Sequence, residues 1–100
     1  MFLVIRCIDR EIEFVSAQNT RHDAINSMCS DILEELRASN YLGMIEENFG
    51  STDNMLKEVI NSDKDYFTTF DWGDTAFGIG MTYAWITFPD NDYDWRIFEV

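Results

Sequence analysis

The chain has 100 residues, 46% of them hydrophobic and 15% aromatic, and nineteen acids stand against seven bases for a formal net charge of −12. This length is one domain, 1–100, and the apolar share is enough for a core, so the charge does not imply disorder. The scattered bases exclude direct nucleic-acid binding through phosphates, and the negative balance excludes docking on an anionic membrane.

The first apolar run, Met1 to Ile5, lacks a basic leader and is cut short by Arg6. It reads as neither a signal peptide nor a membrane span, so the expected compartment is the cytoplasm. Phe2–Ile8 is aliphatic on both faces, which suits a strand covered on two sides. Asp9-Arg10 fits a tight turn, after which Glu11 to Val15 alternates polar and apolar like a half-exposed strand; one long bulged strand is the competing reading.

Asn19 or Thr20 can cap a helix running to about Ser39, with Ala24, Ile25, Met28, Cys29, Ile32, Leu33 and Leu36 at helical spacing. A short second helix is expected over 41–48, with Leu42, Ile45 and Phe49 inward, and Gly50 ends it. Ser51 or Thr52 then caps a third helix striped by Met55, Leu56, Val59 and Ile60. From residue 66 aromatic and β-forming residues take over, and three strands are expected over 66–72, 77–88 and 94–99. Gly73-Asp74 and the stretch from Pro89 to Asp92 supply the turns. The expected fold class is α+β, a mostly antiparallel sheet with two to three helices packed on one face.

Motifs with chemical content are few. His22 is the single histidine, in the first turn of the first helix. It stands two turns from Cys29, too far for a thiol–imidazole pair within one helix. Cys7 and Cys29 read as reduced, buried thiols; a disulfide requires the strand and the helix to meet with the right geometry. Asp90, Asp92 and Asp94 open like a calcium loop, but Trp95 stands where that loop needs glycine. Gly78 and Gly80 lie within a strand pattern, without a dinucleotide or phosphate-loop context, and read as a bulge or a close backbone approach. No catalytic, cofactor-binding or metal-binding set is assigned.

The charge is uneven. Residues 1–30 hold four acids and three bases, whereas residues 31–100 hold fifteen acids and four bases. Acids alternate with aromatics over 63–74 and again over 90–95, and Tyr and Trp are the usual anchors of protein interfaces. In size and charge the chain resembles phage proteins that block CRISPR or restriction complexes, and bacterial immunity proteins that neutralise nuclease toxins. The likeness is one of composition. It implies a non-enzymatic, acidic inhibitor acting as a nucleic-acid mimic on a basic nucleic-acid-handling partner, a nuclease or a CRISPR or restriction effector. The residues expected to bind that partner are Asp63, Asp65, Asp71, Asp74, Asp90, Asp92 and Asp94, with Glu34 and Glu35 as a second patch and Tyr66, Trp72 and Tyr93 as exposed anchors. The alternatives are a sugar- or metal-binding module built on the Asp-rich loop, a small carboxylate hydrolase, or a soluble domain with no such role. The sequence leaves the oligomeric state open.

Overall fold

The structure is a computed structural model and describes residues 1–62 and 66–100. Nine elements follow one another: β1 Phe2–Ile8, β2 Glu11–Gln18, α1 Arg21–Ala38, α2 Gly43–Phe49, α3 Thr52–Ile60, β3 Phe67–Trp72, β4 Thr75–Gly80, β5 Tyr83–Thr87 and β6 Asp92–Glu99. The strands form one six-stranded sheet in the order β2-β1-β6-β5-β4-β3, with every neighbour antiparallel. The expected α+β class is therefore observed.

Local chemistry sets the element ends. The Thr20 hydroxyl accepts the Asp23 N–H at 3.1 Å and the Ser51 hydroxyl accepts the Asn54 N–H at 3.1 Å, so each begins its helix by satisfying an orphan donor. Asn40 turns left-handed (φ 63°) after α1. Its N–H then reaches the Arg37 carbonyl and the Tyr41 N–H reaches the Leu36 carbonyl, the paired bonds of a Schellman stop. Asp9 and Arg10 both have positive φ, 51° and 71°. That is a two-residue hairpin turn whose twist matches the flanking strands. The turn and bulge readings both hold in part, because the register also slips between Arg6 and Cys7, leaving Glu13 as the extra residue in β2.

The stretch 77–88, expected as one strand, is two. The chain reverses at Met81 and Thr82, and Ile79 of β4 faces Ala84 of β5. No Asn-Gly or Asp-Gly pair marks that reversal, so turn chemistry alone gave no signal of it.

Pairing register assigns the two faces of the sheet. Val4 lies beside Ile97 and Arg6 beside Trp95, Trp95 beside Ala84, Ile86 beside Phe77 and Phe77 beside Phe70. These face the helices. Arg6 apart, they make the core with Ala24, Ile25, Met28, Ile32 and Leu36 of α1, Met44 and Ile45 of α2, and Met55 and Val59 of α3. Trp95 is its largest fully buried side chain. Its indole N–H donates to Asp31 Oδ2 at 2.8 Å, and the same carboxylate accepts Arg6 Nη1 at 2.9 and 3.0 Å. A buried indole needs such a partner. The cluster pins α1 across β1 and β6 and flanks a cavity of about 220 Å³ between α1 and β2.

The opposite face carries Leu3, Ile5 and Cys7 of β1, Ile12 and Val15 of β2, Asp94, Arg96 and Phe98 of β6, and Tyr83 and Trp85 of β5. Among the described residues no helix covers it. The expectation that β1 is buried on two sides is corrected: its apolar residues face both ways, but one side is open.

Candidate functional site: an acidic rim at one end of the sheet

Because the sheet is antiparallel, the β1–β2, β3–β4 and β5–β6 turns all lie at one end. Each turn brings acids. The first supplies Asp9 and Glu11, the second Asp71 and Asp74, and the third Asp90 and Asp92. Register places Asp71, Ala76, Thr87 and Asp92 in one row across four strands. The row continues into β1–β2, where the Asp9 N–H donates to the Asp92 carbonyl at 2.7 Å and the Asp92 N–H to Asp9 Oδ1 at 2.9 Å. Two turns that are distant in sequence are thus tied together, which fixes the Asp9 carboxylate against the Asp92 backbone.

α1 rises from the far end and delivers its C-terminal turn to the same rim. Tyr41, just past it, donates its hydroxyl to Asp74 Oδ1 at 3.0 Å and packs edge-on against Trp72 at 6.0 Å. The negative end of the helix dipole therefore points at an already acidic edge. Glu34 is exposed and Glu35 half-buried in the last part of α1, with Arg37 beyond them.

Counter-ions are scarce. Among the described residues the ion pairs are Arg6 with Asp31 and Glu35, at 2.9 and 3.6 Å, and Arg96 with Asp94 at 3.7 Å. Asp9, Glu11, Glu34, Asp71, Asp74, Asp90 and Asp92 take part in none of them, and the rim's cations are Arg10 and Arg37. Among the described residues no three His, Cys, Asp or Glu side chains converge closely enough to hold a metal ion. The rim acids are spread in a line, not gathered into a cage.

The structure sorts the residues singled out from sequence. Asp71, Asp74, Asp90 and Asp92 come together on the rim, with Glu35 just below on α1. Trp72 is there too, 37% exposed and resting on Gly43, where a Cβ would stand 2.9 Å from its ring. Asp63 and Asp65 lie outside the described residues. Three placements differ from expectation. Asp94 sits on the open face, beside Cys7 in register and paired with Arg96, because two residues along a strand carry it away from the turn. Tyr66 lies at the opposite end of β3, half-buried against the core, where burial pushes its phenol pKa up. Tyr93 is no exposed anchor either: it is half-buried between Phe88 and Trp95, and burial followed by the Glu35 carboxylate raises its pKa.

Asp9 and Glu11 were missed because they belong to the nearly neutral first thirty residues; their signal was the Asp9-Arg10 turn, which becomes meaningful once β1 pairs with β6. The cysteines are free, and the sheet separates them. Cys29 is buried in α1 with its thiol pushed up to about 12 by burial. Cys7 is half-buried on the open face, raised by burial and then by Asp94, with Arg96 opposing. His22 is exposed, so the two do not share a cleft. Gly78 and Gly80 form no bulge. They are flat floors: a Cβ at Gly78 would lie 2.5 Å from the Trp85 indole nitrogen, and one at Gly80 would lie 2.7 Å from the Tyr66 carbonyl oxygen and 2.8 Å from the Phe67 ring.

Among the described residues no helix is long and apolar enough to cross a membrane. No protein-family model, curated protein or solved structure matches this chain.

Proposed function

We propose that the protein is a non-enzymatic inhibitor that places its acidic rim in the basic nucleic-acid-binding groove of a partner, a nuclease or a CRISPR or restriction effector in the cytoplasm. One observation carries this reading: six acids from three hairpin turns line one end of the sheet, and none of them is in an ion pair among the described residues. Six strands span about 24 Å, so these acids average one per roughly 4 Å, against one phosphate per about 3.4 Å of axis in a nucleic-acid strand. The Asp9–Asp92 tie and the Tyr41–Asp74 bond order the Asp9 and Asp74 carboxylates before binding, so less entropy is lost on docking. Trp72, exposed beside Asp74, supplies apolar contact area next to the charge.

The mechanism is occlusion. Rim carboxylates take positions that phosphates otherwise occupy, charge speeds the encounter, and Trp72 slows dissociation. The test is capture on immobilised protein from a nuclease-treated lysate of the native host at low salt, followed by elution with duplex DNA or RNA. The expected result is a captured nucleic-acid-binding protein that duplex displaces and that salt elutes. A captured protein that stays bound in excess duplex, or binding that strengthens with salt, would overturn the reading.

A further inference from the structure

The open face of the sheet is a second surface, of a different character from the rim. Ile12, Val15, Phe67 and Phe98, exposed by 66, 48, 44 and 46%, lie on it with the half-buried Leu3, Ile5, Tyr83 and Trp85. Its rings lie flat. Trp85 covers Gly78, Phe67 covers Gly80 and stacks on Tyr83 at 6.0 Å and 15°, and the Arg96 guanidinium sits 5.3 Å from the Tyr83 ring centre. In a protein of net charge −12, the strand residues at the centre of this face bear one cation and one anion, Arg96 and Asp94, and Arg10 reaches over the face from the β1–β2 turn beside Ile12 and Asp94. Apolar patches of this extent mark interaction sites.

We infer that two copies of this chain pack face to face through the open side of the sheet. Three observations choose a second copy as the occupant. The first is reciprocal charge. Asp94 and Arg96 stand two residues apart on β6, near the middle of the sheet. A two-fold axis crossing β6 between them lays the strands of the two copies antiparallel and sets each Arg96 over the Asp94 of the other copy, as an isologous interface requires. The second is area. Six strands of five to eight residues give a flat footprint on the order of 500 Å² per copy, or about 1,000 Å² in all, the threshold for a specific interface. The third is repulsion. The same antiparallel stacking sends the two acidic rims to opposite ends of the dimer, where they repel least and both stay free for a partner. It also gives β1 the second cover that its two-sided apolar pattern calls for, as in an aligned β-sandwich.

The dimer does not depend on the rim's role, and the two have opposite salt responses. Binding of a basic partner weakens with salt, whereas association of two copies at −12 each strengthens as salt screens their repulsion. Sedimentation equilibrium from about 1 to about 500 µM tests it, at low and at moderate salt. The weight-average mass should rise from 11.7 kDa toward twice that value, earlier at higher salt, and the Cys7 thiol should become slower to label as concentration rises. Arg96→Asp, which opposes carboxylate to carboxylate, should weaken association about tenfold or more, and Asp94→Arg added to it should restore most of the loss. Both side chains are on the surface, so near-ultraviolet circular dichroism should stay native. A mass fixed at 11.7 kDa throughout, or a dimer indifferent to Arg96→Asp, would overturn the inference; the second result would point to pairing through the β2 edge instead.

Discussion

The two faces of the sheet are built from similar residues and meet different fates. On the covered face Trp95, Phe77, Ile79 and Ile86 are fully buried beneath the helices; on the open face Phe98, Val15 and Ile12 remain about half exposed or more. Chain connectivity makes the difference. α1, α2 and α3 are consecutive between β2 and β3, so all three fall on one side. An apolar residue on a strand is therefore a core residue only if its parity matches the helix side.

The sharpest way to break this comparison is truncation on each face. Trp95→Ala should destabilise by about 3–5 kcal/mol, since it removes the largest buried side chain and leaves Asp31 short of a donor. Phe98→Ala on the open face should cost less than about 1 kcal/mol in the monomer. Denaturant unfolding in dilute solution measures both, and equal losses would mean that the open face is as buried as the core.

The two thiols give the next contrast. Cys29, raised from 9.0 to about 12 by burial, favours the fold fully below pH 9. That contribution is lost as pH rises from about 9 through about 12, up to roughly 4 kcal/mol in all. Stability should accordingly fall across this window, and Cys29→Ala should flatten the fall. Tyr66 and Tyr93, shifted in the same direction, leave a residual slope. In the folded monomer a thiol reagent should modify Cys7 and spare Cys29; rapid labelling of both would contradict the placement of α1.

Within the open face the glycines are unequal. Gly80→Ala meets the Tyr66 backbone carbonyl, which has no room to give, and should cost about 1–3 kcal/mol. Gly78→Ala meets the Nε1, Cε2 and Cζ2 atoms of the Trp85 ring, a side chain on the open face that can move aside, and should cost less. The smallest effect belongs to the charge. Moderate salt should raise the melting temperature by about 2–5 °C, and Asp90→Lys with Asp92→Lys should shrink that rise, whereas Phe98→Ala should leave it unchanged.

Much of the fold was legible locally. The Thr20 and Ser51 caps, the apolar stripes of α1 and α3, the Asp9-Arg10 turn and the switch to aromatic strands after residue 66 each carry their own short-range signal. The reversal at Met81-Thr82 did not, because nothing in its side chains demands a turn. The rim was legible in composition but not in membership. Asp71, Asp74, Asp90 and Asp92 announce themselves beside turn residues, while Asp9 and Glu11 join them through the β1–β6 pairing, a contact between the two ends of the sequence. Asp94 and Tyr93 were misplaced for a related reason. Strand parity turns Tyr93 to the face that the helices cover, and two residues of strand carry Asp94 from the turn toward the middle of the open face.

The proposed binding depends on where the charge lies, not on how much there is, and a charge-matched pair of variants tests that directly. Asp90→Lys with Asp92→Lys changes the rim, and Glu58→Lys with Glu99→Lys changes the far end; each pair moves the net charge from −12 to −8, two acids being exchanged for two bases. Affinity for the captured partner, measured by titration at fixed low salt, should fall about 100-fold for the rim pair, roughly 1.4 kcal/mol per reversed side chain, and by less than about threefold for the far-end pair. Equal losses from the two pairs would show that net charge alone drives binding, and would contradict the rim as the site.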